Sequence, residues 1–473
     1  MKNPLAIATS PLLLVLLAGC SLEAPQQAPE MGLPKNFKES GIWKIAKPAA
    51  HVPHGDWWSS FHDSELTSLL RRVEVSNASL AAAAARARES SALLIGAKLA
   101  FLPTLSGTSS ATRSSSQSGS GSSNNSNSNS SGSGGSGSSN RYAIGATTSW
   151  EIDLWGRLRH NARAITADAE SAAATVESTR LSLQAQAAQT YFSLRAVDAQ
   201  QALYNRQLES YEKSFTITKN RYAQGVASRG DVAQAESQLA STRSASIDLG
   251  VQRSTYEHAL AVLIGHAPSS FSIPRGNLTA SVPGTPSSTP SRLLERRPDI
   301  ASAERTVAAA NERIGAAKAA FYPTISLGGS GGWEGPGKLL SAPTFFWSLG
   351  PDLAAPILDG GQRLAAKAQA DATYDATVAD YRQTVLTALQ EVEDNLSTLR
   401  ILAHEAEAQE ISVRTARESE RIALNAYKAG TDNYLNVSVT QAAALAAERN
   451  SLDLQARRLN ASVALMTALG GKW

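Results

Sequence analysis

Lys98-Leu99-Ala100-Phe101-Leu102-Pro103-Thr104-Leu105-Ser106 is written a second time as Lys318-Ala319-Ala320-Phe321-Tyr322-Pro323-Thr324-Ile325-Ser326. Matches continue on both sides in the same order. Leu154, Gly156, Arg159 and Ala162 correspond to Leu358, Gly360, Arg363 and Ala366. Tyr222, Gly225, Val232, Asp248, Leu249, Arg253 and Gly265 correspond to Tyr427, Gly430, Val437, Asp453, Leu454, Arg458 and Gly470. A period of roughly 200 residues is too long for a solenoid unit and indicates a duplicated half. Each half reads as helix, strand, loop, strand, long helix, tight turn, helix.

The strands are read from alternation. Tyr142, Ile144, Ala146, Thr148, Trp150, Ile152 and Leu154 share one face, opposite Ala143, Gly145, Thr147, Ser149, Glu151 and Asp153. In the second half Ile325, Leu327, Gly329, Gly331 and Trp333 oppose Thr324, Ser326, Gly328, Ser330 and Gly332. Phe345, Trp347, Leu349, Leu353 and Ile357 face away from Ser348, Gly350, Asp352 and Ala354. Strands apolar on one side and small or polar on the other are what an outer-membrane barrel uses. The alternative is two surface hairpins with one face on an ordinary core.

The helices are long. Neither proline nor glycine interrupts Leu158 to Tyr222 or Gln362 to Ala429, and a rod of that length measures on the order of 100 Å. Tyr374, Val378, Tyr381, Val385, Ala388, Val392, Asn395 and Leu399 step by four and three, a heptad seam. Leu181, Ala185, Ala188 and Phe192 keep the same beat, as do Leu208, Tyr211, Phe215 and Tyr222. Seams this rich in alanine give each rod little core of its own, so neighbours are expected on its flanks.

The expected organisation is a signal peptide at 1–19, an acylated extended lead at 20–62, a first repeat at 63–266, a linker or equatorial segment at 267–291 and a second repeat at 292–473. The first repeat holds a hairpin near 103–154 and helices near 157–222 and 231–265; the second holds a hairpin near 323–358 and helices near 361–429 and 433–469. Residues 114–140, nearly all Ser, Gly and Asn, read as a disordered loop between two strands. At the amino terminus a basic Lys2 precedes an apolar stretch from Pro11 to Ala18. Leu17-Ala18-Gly19-Cys20 resembles the bacterial lipobox, which makes Cys20 the acylated first residue of the mature chain. Several acyl chains, palmitate among them, anchor effectively permanently at about 0.8 kcal/mol per buried CH₂. With Ser21 rather than Asp next to it, the lipobox resemblance implies export to the outer membrane.

Composition closes off other classes. The 473 residues are 42% hydrophobic, 18% charged and 6% aromatic, with one cysteine and a net charge of +3. One cysteine excludes an internal disulfide and a Cys-based zinc or redox centre. The near balance of charge gives no footprint for nucleic acid. A mean hydropathy of −0.20 is too polar for a bundle of membrane helices.

Four strands cannot close an antiparallel barrel, and open edges are not tolerated in lipid. Identical copies are therefore expected to share the sheet, giving a barrel above a helical tunnel; two copies or three both yield an even strand count.

Three runs carry a specific resemblance. They are Asp56-Trp57-Trp58 with Phe61-His62-Asp63, Leu66, Leu69 and Asn77-Ala78-Ser79-Leu80; Leu294-Glu295-Arg296-Arg297-Pro298-Asp299-Ile300; and Ala426-Tyr427-Lys428-Ala429-Gly430-Thr431-Asp432-Asn433-Tyr434-Leu435. They resemble the TolC-like outer membrane factor family in its lipoprotein (NodT/OprM-like) branch, over about Trp43 to Leu469. The resemblance implies a mostly α protein with a transmembrane β-barrel, a trimer whose twelve strands sit over a long α-helical periplasmic tunnel. It implies docking to a periplasmic adaptor and an inner-membrane pump, usually of the resistance–nodulation–division class. It also implies multidrug resistance by expulsion of drugs and amphiphiles.

Such a duct needs no catalyst and no cofactor, but must stay shut until docked. The helix tips are the candidate gate. Gly225 and Gly430 permit the left-handed turn that reverses each hairpin. Arg229 and Asp231 in the first turn, with Lys428 and Asp432 in the second, are expected to form rings of salt bridges. Tyr427 and Leu435 add apolar constriction, and the resemblance places Tyr427, Lys428 and Leu435 on gate-forming positions. The alternative is that these residues only cap helices. Where many relatives carry an acidic residue, this chain has Val439, so an inner acidic ring is not assumed; Asp231 stands as its partial substitute.

Competing chemistry is weak. Gly328-Gly329-Ser330-Gly331-Gly332 fits G-x-S-x-G but opens no helix. His51, His54 and His62 lack regular ligand spacing. No phosphate-cradling G-x-x-x-x-G-K-[ST] run occurs, so ATP hydrolysis belongs to a partner. Arg297-Pro298-Asp299 reads as a helix start. A lipid-anchored trimeric stalk would use similar rods but needs no paired hairpins, and a protein-secretion duct of the same family differs chiefly in its partner.

Overall fold

The computed structural model describes residues 56–116, 137–284, 296–335 and 345–471. Cys20, His51, His54, the signal peptide and most of the lead lie outside them. In chain order the elements are α1 (Ser64–Ser76), α2 (Ala78–Leu99), β1 (Thr104–Ser116), β2 (Gly137–Ile152), α3 (Arg157–Ala223), α4 (Arg229–Leu263), α5 (Pro298–Ala319), β3 (Thr324–Gly335), β4 (Phe345–Ala354), α6 (Gln362–Ala429) and α7 (Tyr434–Ala468). Among the described residues no helix is long and apolar enough to cross a membrane.

The chain divides into two compact units. The first holds the sheet with the helix segments that enter and leave it. Its four strands pair antiparallel in the order β1-β2-β3-β4. Each hairpin pairs with itself, and the β2–β3 ladder joins the two halves, from Tyr142↔Gly335 to Ile152↔Ile325. Glycine makes that ladder possible: a Cβ on Gly332 would meet the Ile144 carbonyl oxygen at 2.3 Å. At the end of the sheet near its helices, Trp155 stacks on Tyr322 at 4.8 Å and donates to the Pro323 carbonyl at 2.7 Å. There His160 Nδ1 meets Glu312 Oε2 at 2.7 Å, a packing that needs Gly315, whose Cβ would fall 2.6 Å from the His160 ring.

Two expectations shift at the sheet. The low-complexity stretch 114–140 is not loop throughout: pairing continues to Ser116↔Gly137 because main-chain ladders do not depend on side-chain apolarity. Only 117–136 lie outside the described residues. Leu154 and Ile357 do not extend the strand faces, since β2 ends at Ile152 and β4 at Ala354.

The second unit carries the main core. Trp57, Trp58 and Phe61 form a 3₁₀ turn rather than an extended lead and are buried against α1, α3, α4 and α7, because three large aromatic rings cannot be left in water. Asp63 caps α1 by accepting from the Glu65 and Leu66 amides. In the linker or equatorial segment, Phe271, Ile273, Leu278, Ala280 and Val282 pack into this core. The segment is held by a buried ion network. Asp198, with 1% of its side chain exposed, takes Arg195 at 3.0 Å, Arg253 at 2.8 Å and the Gly276 amide at 3.1 Å. The two arginines donate onward to the carbonyls of Pro274 and Ile273.

The seams drift from strict heptads. On α6 the buried row is Val385, Ala388, Val392, Leu396, Leu399 and Leu402; Leu396 replaces Asn395 because 3.6 residues per turn outrun a 3.5 repeat. On α3 Tyr211 is buried, but Ser214 and Thr218 follow it inward, and Tyr222 is exposed.

Candidate functional site

The two helical hairpins reverse by the same device. After α3 the Val226 amide reaches back to the Arg221 carbonyl at 2.9 Å, and Gly225 takes φ +74°. After α6 the Thr431 amide reaches the Ala426 carbonyl at 3.0 Å, and Gly430 takes φ +80°. Both are glycine-terminated caps in which the left-handed residue satisfies orphan carbonyls. The returning helices start on Ser228, which accepts from the Asp231 amide, and on Asn433, which accepts from the Asn436 amide.

Beneath the turns lies an apolar knot of Ala235, Ala423, Tyr427, Tyr434 and Val437. The rings of Tyr427 and Tyr434 meet edge to face at 5.5 Å. The Arg221 guanidinium lies 4.7 Å from the Tyr427 ring centroid and donates to the Tyr427 carbonyl at 2.6 Å. The Tyr427 hydroxyl bonds Thr218 Oγ1 at 3.1 Å. Arg221 and Thr218 belong to the first hairpin and Tyr427 to the second, so these contacts clip one hairpin to the other. Burial pushes the Tyr434 hydroxyl up to about 12.

Away from the knot the interface turns polar. Gln234 Nε2 donates to Ser438 Oγ at 3.3 Å, Gln238 Nε2 to the Tyr211 hydroxyl at 3.3 Å, and Gln441 Nε2 to Ser214 Oγ at 3.4 Å. These bonds are long for their type. A seam of hydroxyls and carboxamides holds two hairpins less tightly than a leucine seam and gives up less apolar burial when they part.

The expected tip residues divide. Tyr427 is 3% exposed and lies in the knot. Asp231 closes a capping box with Ser228, and Asp432 bonds the Asn433 amide and the Asn436 side chain. Among the described residues Arg229, Lys428, Asp231 and Asp432 form no ion pair with one another: the two carboxylates are already engaged by their own helix starts. Lys428, Arg229 and Leu435 are exposed. Val439 lies one helical turn beyond Leu435, and both are exposed, so the two make an apolar stripe on that face of the helix. Alternation and heptad reading missed Thr218, Tyr434 and Gln441, and gave Arg221 no role. The available signal was the mirrored placement of Tyr222 and Tyr427, of which only Tyr427 is buried. Among the described residues no group of three or more His, Cys, Asp or Glu side chains is arranged to hold a metal.

The sheet forms a second functional surface. Ladder partners share a face, so Leu105, Tyr142, Ile144, Trp150, Ile152, Ile325, Leu327, Trp333, Phe345, Trp347, Leu349 and Leu353 lie on one side. Trp347 is 73% exposed and Leu349 65%. The other side carries mostly Ser, Thr and Gly, with Phe346, Glu151, Asp352, Glu334 and Arg141 among them, the last two paired at 2.9 Å. From Ile325 to Trp333 the apolar face runs about 27 Å along the strand, close to the roughly 25 Å apolar band of outer-membrane barrels. Aromatic rings stand toward both ends, Trp150 at one and Trp333, Phe345 and Trp347 at the other.

Comparison with known proteins shows the family. The profile of the family described as "Outer membrane efflux protein" matches residues 69–266 and 289–471. The antibiotic efflux pump outer membrane protein ArpC of Pseudomonas putida is 30% identical over 470 residues, covering 97% of this chain and 94% of that one. A crystal structure of a membrane protein from Pseudomonas aeruginosa superposes with a TM-score of 0.85 at 28% identity, covering 96% of this chain and 98% of that one. The open-state MtrE outer membrane channel of Neisseria gonorrhoeae gives a TM-score of 0.83 at 27% identity, covering 96% and 99%. With a sheet of this polarity, paired helical hairpins and a match across nearly its whole length, the chain belongs to the TolC-like outer membrane efflux protein family.

Proposed function

We propose that the protein is the outer-membrane exit channel of a tripartite efflux system, a passive duct built from three copies. The carrying observation is the sheet: its exposed apolar face and its two edge strands, β1 and β4, have no partner among the described residues of one chain. Lipid accepts the apolar face, but only another chain can satisfy the edges. Three chains of four strands supply a twelve-stranded ring. Cys20 carries the acyl anchor, residues 1–19 are removed, and the acylated lead runs from Cys20 to the turn that begins at Trp57. A periplasmic adaptor and an inner-membrane pump of the resistance–nodulation–division type dock on the helical part and provide the energy. The cargo is drugs and other small amphiphiles.

Closure is assigned to the helix tips. The knot around Tyr427 clips each chain's hairpins together. Lys428, Arg229, Leu435 and Val439 stand on the outside of that knot, where side chains of a neighbouring copy can meet them. Arg229 and Lys428 are free to pair between chains, while Asp231 and Asp432 set the helix starts that aim them. The test is conductance of the purified protein in planar bilayers. Tyr427→Ala combined with Lys428→Ser is expected to raise it several-fold; an unchanged value would place closure elsewhere. A deletion strain is expected to accumulate dye. Loss of secretion of a large protein with normal dye export would instead assign the chain to a secretion system.

A further inference from the structure

The duplicated halves bury one seam and leave its counterpart open. Within the sheet-bearing unit, α5 of the second half packs on α3 of the first. His160 Nδ1 meets Glu312 Oε2 at 2.7 Å with Gly315 under the ring, Arg313 Nη2 meets Asp168 Oδ2 at 2.5 Å, and Ala164 is buried. The repeat that sets Leu154 on Leu358 and Lys98 on Lys318 carries α3 onto α6 and α5 onto α2. His160 then falls on Leu364, Ala164 on Ala368, Asp168 on Ala372, Glu312 on Ala92, Arg313 on Leu93 and Gly315 on Ile95. All six counterparts are exposed. α2 leads into β1 and α6 follows β4, so these faces lie at opposite edges of the sheet. Their chemistry is inverted. Both polar pairs become aliphatic, and the large-then-small order of Glu312 and Gly315 becomes small-then-large in Ala92 and Ile95. A Cβ at Gly315 would sit 2.6 Å from His160 Nδ1, so Ile95 does not fit against an imidazole held as His160 is. It does fit against the flexible end of Leu364, with the room that Ala92 leaves. Leu364 is 67% exposed and Ile95 60%, apolar surface that one chain alone leaves in water.

We propose that the α6 face at Leu364 is the docking surface for the α2 face at Ala92 and Ile95 of a second copy of this chain, an apolar inverse of the polar seam that joins the halves. This rests on the three-copy reading above and specifies the helix contact by which copies meet beside the sheet edges. The inversion also keeps the two seams from exchanging. An α2 seated where α5 belongs would leave His160 and Asp168 facing Leu93 and Ile95. An α5 seated where α2 belongs would leave Glu312 and Arg313 facing Leu364 and Ala372. Either mistake strips polar groups of their partners at a contact that excludes water, which costs more than the correct pairing gains from a like match. First and second halves therefore alternate around the ring.

The experiment uses the full chain carrying Leu364→Cys and Ile95→Cys together, oxidised with copper–phenanthroline in isolated membranes. A Cβ at Gly315 lies 2.8 Å from His160 Cγ, one bond from the His160 Cβ. The counterpart pair is therefore expected near the about 3.5–4.5 Å separation of Cβ atoms in a disulfide. A ladder of two and three chains should form, and none from either cysteine alone. A second measurement uses charge. Leu364 and Ala92 are exposed in one chain, so Leu364→Arg and Ala92→Glu should leave its own fold intact. Each is expected to lower the yield of assembled oligomer in detergent several-fold, and the two together to restore most of it. No bridge, as when lipid covers this face, or a double variant as impaired as the worse single one, would overturn the seam. Ser110→Cys with Ser348→Cys on the outer strands separates the two readings. If that pair is cross-linked into a ladder of three while the Leu364 seam fails, three copies still share the sheet; if it gives no ladder either, the three-copy reading falls as well.

Discussion

At the scale of single residues, two positions show how little slack the fold has. Gly332 lies where a Cβ would sit 2.6 Å from the Gly145 Cα as well as against the Ile144 carbonyl, whereas nothing stands within 4 Å of a Cβ at Gly350. Gly332→Ala should therefore break the β2–β3 ladder and lower the yield of assembled oligomer in detergent, while Gly350→Ala should leave it intact. Glu257 is the second case. Burial works to raise its carboxyl, yet the Ile273 amide at 2.8 Å, the Ser272 hydroxyl at 3.1 Å and Arg253 outweigh it and hold the group below the usual carboxylate range. Such a group contributes stability above the ordinary glutamate value, and the contribution fades as pH falls through the lower native one. Glu257→Gln should flatten the acid limb of a pH–unfolding profile and leave the neutral region lowered by a constant amount.

Elements were legible in proportion to how local their cause is. A strand turns its side chains over every residue, so the faces of β2, β3 and β4 follow from alternation, and the glycine turns follow from spacing. What escaped was whatever joins distant segments. Nothing near Tyr142 announces Gly335 as its partner, and Thr218 meets Tyr427 from a helix in the other half of the chain. The α6 seam passes through Leu396 rather than Asn395 because the helix turns every 3.6 residues and a heptad every 3.5. The isolated aromatic cluster at Trp57 and Trp58 read as a lead because three aromatic residues have no periodicity to betray them. The β4 face carries its own expectation. Trp347→Lys would place a charge among lipid tails at a cost of about 2–4 kcal/mol near the midplane, less toward the interface. It should lower the fraction of chain recovered in the outer membrane, whereas Ser348→Lys on the opposite face should not.

For the whole molecule the question is what completes the sheet. Cysteines placed singly at Ser110 on β1 and Ser348 on β4, in two co-expressed chains, should be bridged by a bifunctional thiol reagent within assembled channels, and a chain carrying both should give a covalent ladder ending at three copies. A ladder ending at two would call for an eight-stranded ring, and no ladder would argue that something other than a sibling chain covers the edges. The unsatisfied borders of β1 and β4 also bear on genetics. Because every copy must offer a sound edge to both neighbours, one faulty subunit spoils the ring it enters. In a cell making equal amounts of intact and edge-blocked chains, random mixing in threes leaves about one ring in eight wholly intact. Edge mutations in this protein should therefore behave as dominant poisons, restoring drug sensitivity even where a good copy of the gene is present.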